Sequence, residues 1–193
     1  MEENMSNYTQ KAIIHTFQDM LQNKPFDKIT VSAIVAKCEI SSNTFYYHFQ
    51  DIYDLLDTWL QLMWKKYFTD AMQSMTCQQA LKILLRDMKQ NSDLVYHLSG
   101  SISRERIERF VFESTGNIFY QMVCREVGDA AVDEKTLRSI AEYNSYSLLG
   151  FFLKFLWNHM NGDIDEGVDQ ISYIFKGNVQ WIIKMKEDQQ GEF

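Results

Sequence analysis

The chain has one proline and eight glycines in 193 residues. So few breakers favour long helices, and no sustained alternation of apolar and polar residues argues for strands. Its three cysteines, Cys38, Cys77 and Cys124, are too widely spaced for a metal motif. The four histidines, His15, His48, His97 and His159, show no close ligand pairing. There is no glycine-rich phosphate loop and no nucleophile elbow. The sequence therefore nominates no catalytic residue, metal or cofactor, and it speaks against an enzyme. The apolar run at 148–157 is interrupted by Lys154 and is about half the length of a membrane helix. No signal peptide is visible. The expectation is a reduced, soluble, cytoplasmic protein without membrane contact. Cations are also scarce: 19 Lys and Arg stand against 26 Asp and Glu, for a net charge of −7. Residues 1–60 hold four lysines and eight acids. Non-specific affinity for nucleic acid rests on cations that neutralise phosphates, so here it should be weak.

What is present is a hydrophobic fraction of 46%, enough for a packed core. The most informative stretch is 29–49. Thr30 is placed to cap a first short helix, with Val31, Ile34, Val35 and Cys38 at i, i+3, i+4 and i+7 as its apolar stripe. Ser41 is placed to cap a second, over about 42–49. Ile40 and Phe45 then fall at the positions of a hydrophobic staple. Phe45 and Phe49 mark the buried side of this second helix. Asn43 and Tyr47 point the opposite way, Thr44 and Tyr46 flank them, and His48 sits nearer the buried edge. Two helices joined by a tight turn, the second presenting amide, hydroxyl and phenol groups outward, form a helix-turn-helix. Two capped helices of this kind also occur in all-α domains that never touch DNA.

Thr30-Val31, then Phe45-Tyr46-Tyr47-His48-Phe49 and Tyr53-Asp54-Leu55-Leu56, resemble the N-terminal domain of the tetracycline-repressor (TetR) family. The likeness runs over about residues 8–59. The phrase from Thr44 to Phe49 with Asp51 and Tyr53-Asp54-Leu55 is most similar to the dihydroxyacetone-kinase-regulator subgroup. The resemblance implies a three-helix DNA-binding domain and a helical C-terminal domain that dimerises and often takes a small molecule. It implies that Thr30, Ser41, Ser42, Asn43, Thr44, Tyr46, Tyr47 and His48 face DNA. Tyr46, Tyr47 and His48 would hold phosphates, and Asn43 and Thr44 would read bases. Two positions depart from the family's habit. Ser42 stands where a basic residue is frequent, and Ile52 stands where a lysine is usual. Each removes a phosphate contact.

The rest of the chain reads as helices. Residues 8–22 carry Ile13, Phe17, Met20 and Leu21 inward, and Pro25 follows to end the helix. A fourth helix begins at 50 or 51 with Leu55, Trp59, Leu62 and Met63 in register. Further helices are expected at 77–91, 104–126 and 134–160, the last closed by Asn161-Gly162. Asp163 and Asp165 fit a capped helix start better than a calcium loop. The last helix, about 166–186, bears two stripes: Val168, Ile171, Phe175 and Ile182, then Ile174, Trp181 and Met185. Two stripes suit a helix that faces its own core and a partner copy.

The resulting expectation is an all-α protein. Residues 1–50 form a three-helix helix-turn-helix domain, and 51–193 a helical bundle for ligand binding and dimerisation. Its partners would be double-stranded DNA, a second copy and a small-molecule effector. Phe151, Phe155, Ile174 and Trp181 would face the second copy. Trp64, Tyr67, Phe68, Phe110, Phe119 and Met122 would line a pocket. The function expected is a ligand-responsive transcriptional regulator on a near-palindromic operator. The competing reading is a sensor or adaptor of the same fold that does not bind DNA.

Overall fold

A computed structural model of the chain describes residues 2–70, 75–128 and 130–190. Among them the regular structure is helical throughout. The chain divides into two compact units, Met1–Ser103 and Arg104–Phe193.

The first unit opens with α1 (Glu2–Asn23), which starts earlier than its apolar pattern predicts. Ile13, Phe17 and Leu21 are fully buried, and Met20 nearly so. A short 3₁₀ turn (Phe26–Lys28) follows Pro25 and drives Phe26 into the core, edge-on to Phe17 at 6.1 Å between ring centroids. Next come α2 (Val31–Cys38) and α3 (Ser42–His48), then α4 (Ile52–Lys65), which continues as a π-helical turn (Lys66–Asp70). Thr76 and Gln79 form a capping box at the head of α5 (Cys77–Gln90), and α6 (Ser92–Ser99) follows.

One core joins α1, α2, α3, α4 and α6 of this unit. Ile34, Phe45, Phe49, Leu55, Leu56 and Trp59 meet the α1 residues there, and Leu94 of α6 joins them. The geometric division thus falls after residue 103. The expected boundary at 50 lies inside this unit. Leu62, expected inward on α4, is exposed.

The second unit holds α7 (Arg104–Val127), α8 (Glu134–Trp157) and α9 (Ile164–Gln190). Asp129, within the break expected between α7 and α8, lies outside the described residues. The core joins Phe119, Val123 and Val127 of α7 to Ile140 and Ala141 of α8 and to Phe175 and Val179 of α9. The opening of α7 is a solvated face, tied by Arg104–Glu108 and Arg109–Glu105 ion pairs at 2.6 and 3.1 Å. Inside, the hydroxyls of Thr115 and Ser145 lie 3.0 Å apart, with the carbonyls of Val111 and Ala141 as further acceptors. This buried polar layer sets the register of α7 on α8.

α8 ends three residues before the expected point. His159 and Met160 both take left-handed backbone angles, φ 54. The Met160 amide donates to the Phe155 carbonyl at 2.8 Å, and the His159 amide donates to that of Leu156 at 3.0 Å. This is a Schellman closure, and its reward is burial of Met160 beside the buried Phe155. Asp163 then caps α9 through the Glu166 amide at 2.9 Å.

Candidate nucleic-acid interface

The helix-turn-helix is built by its caps. Thr30 Oγ1 accepts from the Ala33 amide at 3.2 Å and starts α2. Glu39 ends it in a left-handed conformation (φ 54), and the Ile40 amide returns to the Val35 carbonyl at 3.2 Å. Ile40 turns inward against the same core as Phe45, as the staple spacing requires. Ser41 Oγ accepts from the Thr44 amide at 3.0 Å and starts α3. Phe45 and Phe49 are buried with ring centroids 5.7 Å apart, so the face of α3 is fixed by two aromatic anchors.

Of the eight residues expected to face DNA, Thr30, Ser41, Ser42, Asn43, Tyr46 and Tyr47 are exposed, and Thr44 and His48 are half-buried. Tyr47 is 77% exposed and meets His48 edge-on at 5.0 Å. Tyr46 packs edge-on against Phe45 at 5.5 Å, which steadies its ring. The Thr44 hydroxyl lies 2.8 Å from Ser41 Oγ, so it is in contact with the helix cap.

Electrostatics separate three helix starts. α2 and α3 are capped by neutral hydroxyls, and a helix N-terminus so capped still favours an anion. α4 is capped by carboxylates. Asp51 Oδ1 accepts from the amides of Tyr53 and Asp54 at 2.7 and 2.9 Å, and Asp54 Oδ2 accepts from the Gln50 amide at 2.8 Å. This start is closed to a phosphate. Ile52, the position where a lysine is usual, is instead partly buried against the core. Lys28 is paired with Asp27 at 3.1 Å.

The pocket candidates are divided between the two units. In the first unit Trp64 and Phe68 stack at 4.1 Å, and Tyr67 is buried. The Tyr67 hydroxyl donates to Asp87 Oδ2 at 2.5 Å and takes a bond from Lys66 Nζ at 3.1 Å. Burial first, then the bond and charge of Asp87, holds the phenol well above its usual range. In the second unit Phe110 is half-buried, while Phe119 is filled core against Phe175 at 6.1 Å and Met122 packs on that core.

The dimer candidates divide likewise. Ile174 and Trp181 are 56% and 62% exposed. Phe155 is buried at 7%, and Phe151 is half-buried with its ring against Gly167 of α9, so both are largely used within the chain. Trp157, 68% exposed on α8, and the exposed tyrosines Tyr143 and Tyr146 were not among the candidates.

Among the described residues no group of three or more His, Cys, Asp or Glu is placed to hold a metal ion, and no helix is long and apolar enough to cross a membrane.

Residues 13–58 match the family of bacterial regulatory proteins called tetR, and residues 75–177 match a transcriptional regulator C-terminal region. A curated relative, the HTH-type dhaKLM operon transcriptional activator DhaS of Lactococcus lactis subsp. lactis (strain IL1403), is 31% identical over 83 residues. That match spans 43% of this chain and 44% of the relative, less than half of each. The fold resembles a solved dihydroxyacetone kinase operon activator DhaS, with a TM-score of 0.67 and 20% identity over 89% of this chain and 96% of that one. It also resembles a TetR transcriptional regulator from Streptococcus agalactiae 2603V, with a TM-score of 0.63 and 19% identity over 92% and 97%. With both halves of the chain matched and its helix-turn-helix in place, the protein belongs to the TetR family of bacterial transcriptional regulators.

Proposed function

We propose that the chain acts as a homodimer in the cytoplasm and reads a near-palindromic operator through α3, under control of a small-molecule effector. The observation that carries this is the construction of α3. Two buried phenylalanines and a hydroxyl cap hold Asn43, Tyr46 and Tyr47 outward in solvent. Asn43 offers the bidentate amide that suits adenine, and the phenols offer donors to phosphate oxygens. With few cations, each half-site is weak. Pairing two of them on one dimer supplies the missing affinity.

Dimerisation fits the outer face of α8 and α9. Tyr143, Tyr146 and Trp157 are exposed along α8, and Ile174, Trp181 and Met185 along α9. Gly150 and Gly177 lie on these faces with open space beside them, so a second copy can approach closely. Two helices from each copy make a four-helix interface with two-fold symmetry. In role, residues 1–50 read DNA and 51–193 bind ligand and dimerise. The aromatic pair Trp64–Phe68 and the Tyr67 phenol are the effector-facing groups of the first unit in this reading.

A second reading, a sensor or adaptor of this fold without DNA binding, is favoured by the carboxylate-closed start of α4. Selection of bound fragments from random DNA at low salt separates the two. A palindrome enriched by the wild type and lost with Tyr47→Ala and Asn43→Ala supports the regulator. No enrichment even at low salt supports the sensor. Half-site centres should lie a whole number of helical turns apart, adjusted for any bend.

A further inference from the structure

An α-helical carbonyl accepts from the amide four residues on. At the end of α1 the Met20 carbonyl does so, taking the Lys24 amide at 3.0 Å. The next carbonyl, Leu21, faces position 25, where Pro25 has no amide hydrogen. Leu21 is fully buried, so water is no ready substitute. His97 of α6, 76 residues further along, places Nδ1 2.8 Å from that carbonyl oxygen. A carbonyl only accepts, so Nδ1 carries the hydrogen. The bond is not isolated. Leu94 enters the core of the unit, with Leu98 and Ile102 against it. Ser101 Oγ donates to the His97 carbonyl at 2.8 Å and lies 3.4 Å from Asp27 Oδ1. α6 is thus tied to the end of α1 by the His97 bond and by its side chains in the core.

The residues that follow Pro25 lead directly to the reading helix. Phe26 is buried edge-on to Phe17 and to Tyr53, the latter at 5.3 Å. Ile29 is buried, and Thr30 caps α2, which sets the turn and α3.

We propose that His97 is a positioning residue for DNA reading: it supplies from α6 the donor that Pro25 withholds, and so fixes the start of the helix-turn-helix. This rests on the DNA-reading function proposed above.

The test uses the full chain and an operator fragment recovered by the selection. His97→Leu removes the donor. His97→Asn keeps an N–H close to the position of Nδ1, and Pro25→Ala restores an amide at position 25. His97→Leu is expected to weaken operator binding about tenfold, the scale of one lost bond to a buried group, with dimerisation unchanged. His97→Asn, and Pro25→Ala combined with His97→Leu, should recover most of that loss. Wild-type affinity in His97→Leu overturns the proposal, as does a loss that neither rescue repairs, because that outcome means packing alone. If His97→Leu does not fold, the two rescuing variants must still fold and bind. If the wild type selects no DNA, the functional reading fails, and amide hydrogen exchange over residues 26–34 judges the latch by itself. Faster exchange in His97→Leu, reversed by the rescues, sustains it, and unchanged exchange ends it.

Discussion

The hydroxyls of Ser41 and Thr44 lie 2.8 Å apart at the start of α3. That contact sorts the helix into residues that hold it and residues that can read DNA. Ser41→Ala is expected to cost about 1 kcal/mol through the lost cap, seen as a lower denaturant midpoint with an unchanged slope. Asn43→Ala should relax preference at a single base position, by roughly 1–3 kcal/mol in a binding profile over all substituted sites. Thr44→Val should alter stability and leave the base profile as it was. A shifted profile with Thr44→Val would return Thr44 to the reading face.

Ser42 is exposed in the first turn of α3 and carries no charge. Ser42→Lys should add a phosphate contact. Operator affinity rises at low salt, and the slope of log K against log salt steepens by about 0.9 for each half-site, about 1.8 for the dimer. Titration at several salt concentrations measures both.

The acids at α4 should oppose DNA. Asp51→Ser keeps a side-chain oxygen for the Tyr53 and Asp54 amides while removing a charge. Affinity should rise by a few-fold, about 1 kcal/mol or less for an exposed charge, and the gain should shrink above physiological salt. An affinity that falls would mean the carboxylate is needed for more than its cap.

Trp181 and Phe155 should behave oppositely. Trp181→Glu places a charge on the exposed stripe and should give monomers in sedimentation at micromolar concentration, with helix content retained. Phe155→Ala empties a buried site and should cost about 3–5 kcal/mol while the surviving folded protein still dimerises. A dimer that survives Trp181→Glu would move the interface elsewhere.

Burial pushes the Cys77 thiol up to about 11. A raised pKa means the folded state favours the protonated thiol. The associated stability is complete below the ordinary value of 9.0 and is lost as pH climbs from there through 11. At pH 8 the reactive thiolate should be about 100-fold rarer than in an ordinary thiol. Alkylation in the native state should therefore be slow at Cys77, and unfolding should abolish the protection.

The sequence showed its helices where periodicity is strong. The stripes on α2 and α9, and the phenylalanines of α3, each face the side their spacing implies, because one core lies along each. Caps were legible at Thr30 and Ser41, where a hydroxyl precedes an apolar repeat. Ends were harder. Asn161-Gly162 has the composition of a helix stop, yet α8 closes at His159 and Met160, since burying Met160 outweighs a strained backbone. The site was legible as a set of polar side chains and illegible as a network. Spacing shows that Thr44 faces outward but not that its hydroxyl meets that of Ser41. Nothing local to residue 97 announces a bond to residue 21. The one hint was Pro25, whose missing hydrogen leaves a carbonyl that must find a donor somewhere.

That distant donor has a consequence for the order of synthesis. The reading helix is complete at residue 48, while Leu94 and His97 finish the core and bonding of the same unit. At about 5–20 residues per second, α3 is translated roughly 2–10 s before the segment that closes its own fold. Through that interval the nascent helix-turn-helix has an open core and an unclosed α1 terminus. On the function proposed above, the newborn chain would gain its reading surface only when α6 arrives, before α8 and α9 have been made.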